Sequence, residues 1–338
     1  RKQIQQAYSS RAFRDDFDNQ ENIKKILKLR AEKAKLLGYK NHADYVLADR
    51  MAASFETASD FLEKIYGIAY PAAQKEVEAV KTLAKAMDNL DELMPWDMAY
   101  YSNKLQEQLY AYDPEELRPW FKVENVLEGL FTVTGKIYGI QVKQVFDVPV
   151  YHPDVTTWEV YSRTGDFLGL VYMDLFPRET KRGGAWKTSF QGQGLHRDGV
   201  RRPHVSIVAS LTPSTDETPS LLTLNEARTI FHEFGHALHS LLAQGYYKGL
   251  SGTSVLWDFV ELPSQIMENW LLEEEALNLF ARHYQTGEPL PKELLDKVIA
   301  AKNFQAGVAN INQLRYGMLD FSWHIADPES IDDVNAFE

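Results

Sequence analysis

Two histidines and a glutamate stand close together in an H-E-x-x-H pattern formed by His232, Glu233 and His236. On a helix, residues four positions apart lie on one face, so both imidazoles can bind one metal ion. Glu233 is rotated from His232 by about 100° and therefore lies beside the ion. A carboxylate there can act as general base on a water molecule whose pKa zinc lowers toward about 7. The pattern therefore predicts hydrolysis of a carbonyl compound with one Zn2+ ion.

The residues around the motif predict the helix that this chemistry needs. Thr223 and Glu226 form a T-x-x-E capping box, which predicts a helix beginning near Leu224. Apolar residues then recur at three- and four-residue spacing, as in a helix with one buried face: Ala227, Ile230, Phe231, Phe234, Leu238, Leu241 and Leu242. We expect Gly245 to end the helix. The alternative is an ordinary amphipathic helix that carries two unrelated histidines.

A catalytic zinc ion usually has three protein ligands, so one more is needed. Glu261 is the best candidate, because it lies 25 positions after His236 and opens a second segment with helical apolar spacing. A helix-turn-helix layout would bring it back to the first helix. We expect Asp258 to cap the second helix, with Pro263 either kinking that helix or marking its true start.

Three further residues could orient a ligand imidazole. Asp258 and Glu268 lie at −3 and +7 relative to Glu261, near its helical face, and His239 lies three residues after His236. Alternatively, Asp258 and Glu268 are helix caps or surface charges. His239 would then lie one helical turn past the metal and have no role there.

The motif does not stand alone in the sequence. Residues 229–239, Ser251-Gly252-Thr253 and residues 258–265 together resemble the thimet-oligopeptidase family of zinc metallopeptidases. Further similar segments follow in the family order at residues 30–39, 95–101, 174–181 and 219–222, so the resemblance covers nearly the whole chain. Residues 117–121, 126–131 and 181–186 are more similar to the peptidyl-dipeptidase branch than to the endo-oligopeptidase branch.

The resemblance implies a zincin-type peptidase in which His232, His236 and Glu261 bind zinc and Glu233 is the general base. It implies a deep channel that admits short unfolded peptides, and the branch similarity implies release of C-terminal dipeptides. An endo-acting oligopeptidase and a catalytically incomplete zinc- or peptide-binding fragment are the alternatives. The chain also resembles the middle of a longer family sequence. We therefore expect further Tyr and His contacts to the transition state beyond Glu338.

The remaining sequence predicts a mainly α fold with a small β-sheet, of the α+β class. Residues 1–139 show helical patterns, for example at 57–89, 96–111 and 123–138. Residues 140–212 form a small mixed sheet region, with short β-branched and aromatic runs at 140–145, 157–161, 168–173 and 205–211. Residues 213–338 are helical again and contain the zinc-binding region, with further helices expected at 273–284, 292–305 and 308–321. We expect the three regions to be parts of one catalytic body.

An edge strand of this sheet could bind an extended peptide through unpaired backbone groups. Gly183, Gly184 and Ala185 are the candidates, because small residues allow another backbone to approach closely. A plain glycine turn is the alternative.

Composition limits the class of protein. The 338 residues are 44% hydrophobic and 25% charged, as in ordinary globular proteins, and the net charge of −12 argues against nucleic acid as a partner. The absence of cysteine excludes disulfides and thiolate metal sites. No stretch approaches the about 18 apolar residues of a membrane span, so we expect no membrane partner.

Short peptides are the expected partners. Cytoplasm is the expected compartment, although the composition suits a periplasm equally, and the sequence makes no prediction of oligomeric state.

Overall fold

The secondary structure is mainly helical with a small mixed sheet, which confirms the predicted α+β class. The computed structural model describes residues 1–111 and 113–338. The helices are α1 (Lys2–Ser9), α2 (Gln20–Leu36), α3 (His42–Leu47), α4 (Phe55–Asp88), α5 (Pro95–Tyr110), α6 (Val123–Tyr138), α7 (Leu224–Leu241), α8 (Trp257–Val260), α9 (Leu262–Glu268), α10 (Glu274–Phe280), α11 (Lys292–Ala301), α12 (Ala306–Ile325) and α13 (Val334–Phe337). The strands are β1 (Gln141–Val145), β2 (Thr156–Tyr161), β3 (Phe167–Asp174), β4 (Trp186–Gln191), β5 (Gly194–His196), β6 (Gly199–Arg201) and β7 (His204–Val208).

The described residues divide into two compact units. The first consists of Arg1–Ala111 and Ala300–Glu338, and the second of Tyr112–Ile299. The boundaries predicted near residues 139 and 212 mark changes between helix and strand, whereas the units divide near residues 111 and 299. None of the helices formed by the described residues has the length and apolar character that a membrane crossing requires.

In the first unit, the main packing is between the long helix α4 and helix α12. Gly307 permits it, because a Cβ atom at this position would lie 2.6 Å from the backbone nitrogen of Ala73. Glu76 of α4 accepts hydrogen bonds from the backbone N–H groups of Gly307 and Val308, at 3.1 and 2.8 Å. These N–H groups lie in the first turn of α12 and lack partners within the helix, so a carboxylate there stabilises the helix start.

The second unit is built on a mixed sheet in the order β1-β2-β3-β7-β4. Strands β3 and β7 run parallel, and the other pairs are antiparallel. The central strands carry fully buried residues such as Val171, Val205 and Ile207. Helix α7 packs on β3, β7 and β4. The edge strand β4 is therefore a neighbour of the helix that carries the H-E-x-x-H residues.

Asp174, at the end of β3, lies in a buried ion-pair network. It accepts hydrogen bonds from Arg178 at 2.8 Å, from Lys181 at 2.9 Å and from the hydroxyl of Tyr151 at 3.0 Å. Burial by itself would raise the pKa of Asp174, but these hydrogen bonds outweigh it and lower the pKa to about 2. The network ties the loop that follows β3 to the sheet.

Several predicted boundaries differ from the structure. Strands β5 and β6 were not predicted because they have only three residues each, and β4 was not predicted because its residues after Trp186 are mainly polar and exposed. The helix expected at residues 292–305 ends at Ala301, and the one expected at 273–284 covers only Glu274–Phe280. The observed ends of strands β1, β2, β3 and β7 differ from the predicted ones by at most three residues.

The prediction that Gly245 ends the motif helix is wrong. Helix α7 ends at Leu241, and Gly245 does not adopt the left-handed backbone conformation of a helix-ending glycine. Arg202, just before β7, donates hydrogen bonds to the carbonyl of Ala243, at 2.9 Å, and to that of Leu241. A side chain from the sheet region therefore satisfies the carbonyl groups at the helix end.

Candidate metal centre and catalytic site

Helix α7 begins at Leu224, as predicted, and the predicted capping box is present. The Thr223 hydroxyl accepts a hydrogen bond from the backbone N–H of Glu226 at 3.1 Å, and the Glu226 carboxylate accepts one from the N–H of Thr223 at 2.8 Å. The apolar face of the helix is buried, with Ile230, Phe231 and Phe234 at most 1% exposed. Capping and burial together hold the helix that presents His232 and His236.

The side chains of His232, His236 and Glu261 converge on one point. The Nε2 atoms of both histidines lie 3.2 Å from Oε2 of Glu261, and one ligand atom from each residue lies within 4.8 Å of the other two. Ligand atoms about 2.0–2.1 Å from a tetrahedral zinc ion stand about 3.3 Å apart. The three side chains therefore have the separation and the N,N,O donor set that such an ion requires.

The hydrogen bonds of His232 support the same interpretation. Its Nδ1 lies 2.7 Å from Oε1 of Glu268, and the other carboxylate oxygen of Glu268 lies 3.5 Å from Nε of Arg228. When Nδ1–H donates to Glu268, neutral His232 presents the lone pair of Nε2 to the carboxylate of Glu261. Two electron-rich atoms at 3.2 Å repel each other unless a cation lies between them, so the arrangement fits a bound metal ion.

Glu261 lies at a break between two short helices. Helix α8 ends at Val260 and helix α9 begins at Leu262, with Pro263 in its first turn, so the proline marks the true start of the second helix. The prediction that Asp258 caps this helix is wrong, because Asp258 lies inside α8 and Glu261 precedes α9. The fully buried hydroxyl of Ser264 lies 2.7 Å from Oε2 of Glu261 and 2.8 Å from its carbonyl oxygen. Ser264 therefore restrains the carboxylate.

Gly235 lets helices α7 and α9 approach each other closely. A Cβ atom on Gly235 would lie 2.5 Å from the carbonyl oxygen of Pro263 and 2.6 Å from Cα of Ser264. Both of these atoms belong to the backbone, which cannot move aside as a side chain can. The missing side chain of Gly235 therefore sets the distance between the helix with the two histidines and the segment with Glu261.

Glu233 is buried beside these ligands. The residue is only 6% exposed, and its Oε2 atom has no hydrogen-bond partner among the described residues. Burial raises the pKa of Glu233 to about 7; the charge of Glu261 adds to this rise, and His232 opposes it. A carboxylate with a pKa near neutrality can both accept and release a proton.

These residues face a cavity of about 500 Å3. Its lining consists of Ala185, Trp186, Lys187, His232, Glu233, His236, Thr253, Val255, Trp257, Val260 and Glu261. Ala185 precedes the edge strand β4, and Gly183 and Gly184 lie in the loop before it, outside the lining. A larger, apolar cavity of about 710 Å3 lies between α6 and the sheet, but the described residues lining it include no histidine. The smaller cavity is therefore the candidate active site, because the histidines and carboxylates that could bind a metal ion line it.

The three residues predicted to orient a ligand imidazole lie in different surroundings. Glu268 contacts His232, as described above, whereas His239 lines a neighbouring cavity with its ring centre 6.0 Å from that of Phe259. Burial lowers the pKa of His239. Asp258 lies in the first turn of α8, and its role in orienting a ligand stays a prediction.

Sequence reasoning missed Ser264 and Lys187. Ser264 could have been found from its position three residues after Glu261, where a hydroxyl can bond back to the chain. Lys187 carried no such signal, because the strand that places it in the cavity was not predicted.

Comparison with known proteins agrees with these observations. The model of peptidase family M3 matches residues 1–336. Oligopeptidase A of Escherichia coli (strain K12) is 44% identical over 331 residues, which cover 96% of this chain and 49% of that protein. Dipeptidyl carboxypeptidase of the same strain is 36% identical, over 97% of this chain and 48% of that protein. Saccharolysin of Saccharomyces cerevisiae is 32% identical, over 91% and 45%. The chain thus spans about half the length of the curated relatives it matches.

Proposed function

Because the chain belongs to peptidase family M3, we propose that it supplies the zinc centre of a peptidase that cleaves short peptides. The fold would then be of the zincin type, with the metal-binding helix packed against the sheet. The observation that carries the proposal is the convergence of His232, His236 and Glu261, at N···O distances of 3.2 Å, beside the buried carboxylate of Glu233.

The residues of the cavity have distinct roles in this reaction. His232, His236 and Glu261 hold one zinc ion, which when bound polarises the scissile carbonyl and acidifies water. Glu233 takes a proton from the attacking water and then donates it to the leaving amine. Its pKa of about 7 suits both steps, and the charge of a bound cation would lower that pKa toward the ionised form that the first step needs.

Glu268 and Ser264 act as positioning residues. The hydrogen bond from His232 to Glu268 keeps Nε2 of that imidazole directed at the metal, and Ser264 restrains the carboxylate of Glu261. Ligands that are already oriented lose little freedom when the ion binds, which favours tight binding.

An extended peptide can add to the edge strand β4 beside this centre. Among the described residues, the strand pairs with β7 on one side and with no strand on the other, so its other edge carries backbone groups to which a substrate backbone can add. Ala185 lines the cavity, and Gly183 and Gly184 present no side chain that would block the approach. This mode of binding uses hydrogen bonds to the substrate backbone and therefore tolerates varied substrate side chains.

Two modes of cleavage fit this site, namely internal cleavage of oligopeptides and release of C-terminal dipeptides. We place internal cleavage first, since the relatives named oligopeptidase A share more identical residues with the chain than those named dipeptidyl carboxypeptidase. Dipeptide release, indicated by residues 117–121, 126–131 and 181–186, is the second candidate. Peptides with an amidated C-terminus distinguish the modes, because internal cleavage tolerates the amide and dipeptide release requires the free carboxylate.

Two variants test the proposed roles. Glu233→Gln should keep the zinc ion and lower kcat by about 100- to 10,000-fold, since the carboxylate that moves the proton is gone. His236→Ala should lose both zinc and turnover. Metal analysis of the dialysed protein and hydrolysis of a quenched fluorescent peptide measure the two properties separately.

His152→Ala is a matched control, because His152 lies in a loop after β1 and outside the cavity. It should keep both zinc and turnover. Full hydrolysis by Glu233→Gln would contradict the assigned role of that residue. Zinc binding without any turnover in the unaltered chain would instead favour the non-catalytic binding fragment.

A further inference from the structure

Lys187 is the only lysine or arginine among the described residues that line the metal-site cavity. It lies on the edge strand β4, and its Nζ donates hydrogen bonds to the hydroxyls of Ser189 and Thr253, each at 3.0 Å. A lysine ammonium has three N–H donors, so one is left without an acceptor among the described residues. The two hydroxyls orient the side chain but do not neutralise its charge.

The charge of Lys187 is partly buried and unpaired. No carboxylate of the described residues forms an ion pair with it, and burial lowers the pKa of Lys187 to about 8. The side chain nevertheless remains mostly protonated at pH 7. Lys187 lines the same cavity as His232 and His236 of helix α7. A partly buried ammonium with no opposite charge beside it is unfavourable, so its place in a substrate cavity calls for an anionic ligand.

We propose that Lys187 binds a carboxylate of the peptide substrate and so makes the site prefer peptides with an anionic group near the cleaved bond. This inference rests on the proposed function, because it takes the ligand to be a peptide lying along β4. A peptide can supply the carboxylate from its free C-terminus or from an Asp or Glu side chain. In both cases the third N–H of Lys187 would form a charge-assisted hydrogen bond with the carboxylate.

Binding of four matched pentapeptides to the zinc-loaded chain tests the inference. One pair differs only in a free or amidated C-terminus, and the other, amidated in both members, differs only in Glu or Gln at one position. Calorimetry on the Glu233→Gln background prevents turnover during the measurement. The unaltered Lys187 should favour the carboxylate member of at least one pair by about 10- to 100-fold. Lys187→Met should abolish that preference and leave the uncharged members unchanged, and Lys187→Arg should keep it.

The two pairs identify the source of the carboxylate. A preference confined to the free C-terminus would assign Lys187 to the terminal carboxylate, and a preference for Glu over Gln would assign it to an acidic side chain. The same pairs, assayed for hydrolysis with Glu233 restored, should show the preference in KM more than in kcat. An equal fall in kcat for all four peptides in Lys187→Met would overturn the inference, since it would mean that Lys187 acts on the reacting atoms.

Thermal unfolding separates binding from a structural role. Lys187→Met should keep or raise Tm, because it removes an unpaired buried charge and leaves a chain of similar shape. A lower Tm together with equally weakened binding of all four peptides would overturn the inference, as would the lack of any carboxylate preference in the unaltered protein. Failure of the proposed function is recognised differently, by a lack of hydrolysis with Glu233 present while Lys187-dependent peptide binding persists.

Discussion

Replacement of Gly235 by alanine tests how the metal centre is positioned. Gly235 lies between the two histidines in the motif, yet it faces helix α9 and not the cavity. Its new Cβ atom would lie 2.5 Å from the carbonyl oxygen of Pro263 and 2.6 Å from Cα of Ser264. Carbon atoms in ordinary contact stand about 3.5 Å or more apart, so α9 must move away by roughly 1 Å.

This displacement has a calculable effect on stability and on metal binding. Overpacking costs about 1–3 kcal/mol, whereas alanine gains about 1 kcal/mol over glycine as a helix former, so the net loss is up to about 2 kcal/mol. Glu261, two residues before Pro263, should move with α9 and leave the position where it meets His232 and His236. Disturbed support of metal ligands lowers affinity by about 10- to 100-fold, and we expect zinc affinity to fall by that factor.

Chelator competition measures zinc affinity, and circular dichroism measures Tm. Gly67→Ala is the matched control, because Gly67 lies within helix α4 and an added Cβ would have no heavy atom within 4 Å. That variant should gain about 0.5–1 kcal/mol and bind zinc normally. If Gly235→Ala retained both the zinc affinity and the Tm of the unaltered chain, the close approach of α7 and α9 would not be what positions Glu261.

Three further changes test other parts of the molecule. Glu268→Ala should lower zinc affinity by about 10- to 100-fold with little change in the circular dichroism spectrum, since it removes the partner of His232 Nδ1 and, besides that, a 3.5 Å ion pair with Arg228; an unchanged affinity would argue against its positioning role. The pKa of Asp174 is about 2 in the folded protein against a usual 3.8, so its ionised form stabilises the fold by about 2 kcal/mol above about pH 5, and this contribution is lost as the pH falls toward 2. In urea titrations Asp174→Asn should lower stability at pH 7 and flatten its pH dependence between pH 5 and 2, and an equally steep dependence would point to other carboxylates. Gly183→Val should raise KM for peptides, and it is a cleaner test than Gly184→Val because Gly184 has a φ of +100° and a valine there would strain the loop itself; an unchanged KM in Gly183→Val would favour a plain turn.

The sequence was most informative where interactions are local. The capping box of Thr223 and Glu226 spans four residues, and the spacing of His232 and His236 is one turn, so both could be inferred before any fold was known. Strands β2, β3 and β7 were also predicted, because their buried residues, such as Val160, Val171 and Ile207, stand in short apolar runs of the sequence. Strand β1 was predicted from its β-branched residues, although none of its residues is buried. Glu261 was a candidate on the same grounds, through the apolar pattern that follows it.

Only the tertiary structure decided the contacts between distant segments. Arg202 ends helix α7 from 39 residues away, and Thr253 holds Lys187 from 66 residues away. Strand β4 has little apolar pattern of its own, because its place in the sheet depends on pairing with β7. A residue pattern records which face of an element is buried, but not which partner covers that face. Sequence alone therefore determined the reactive groups of this protein, and packing determined which side chains hold them and what else the cavity can bind.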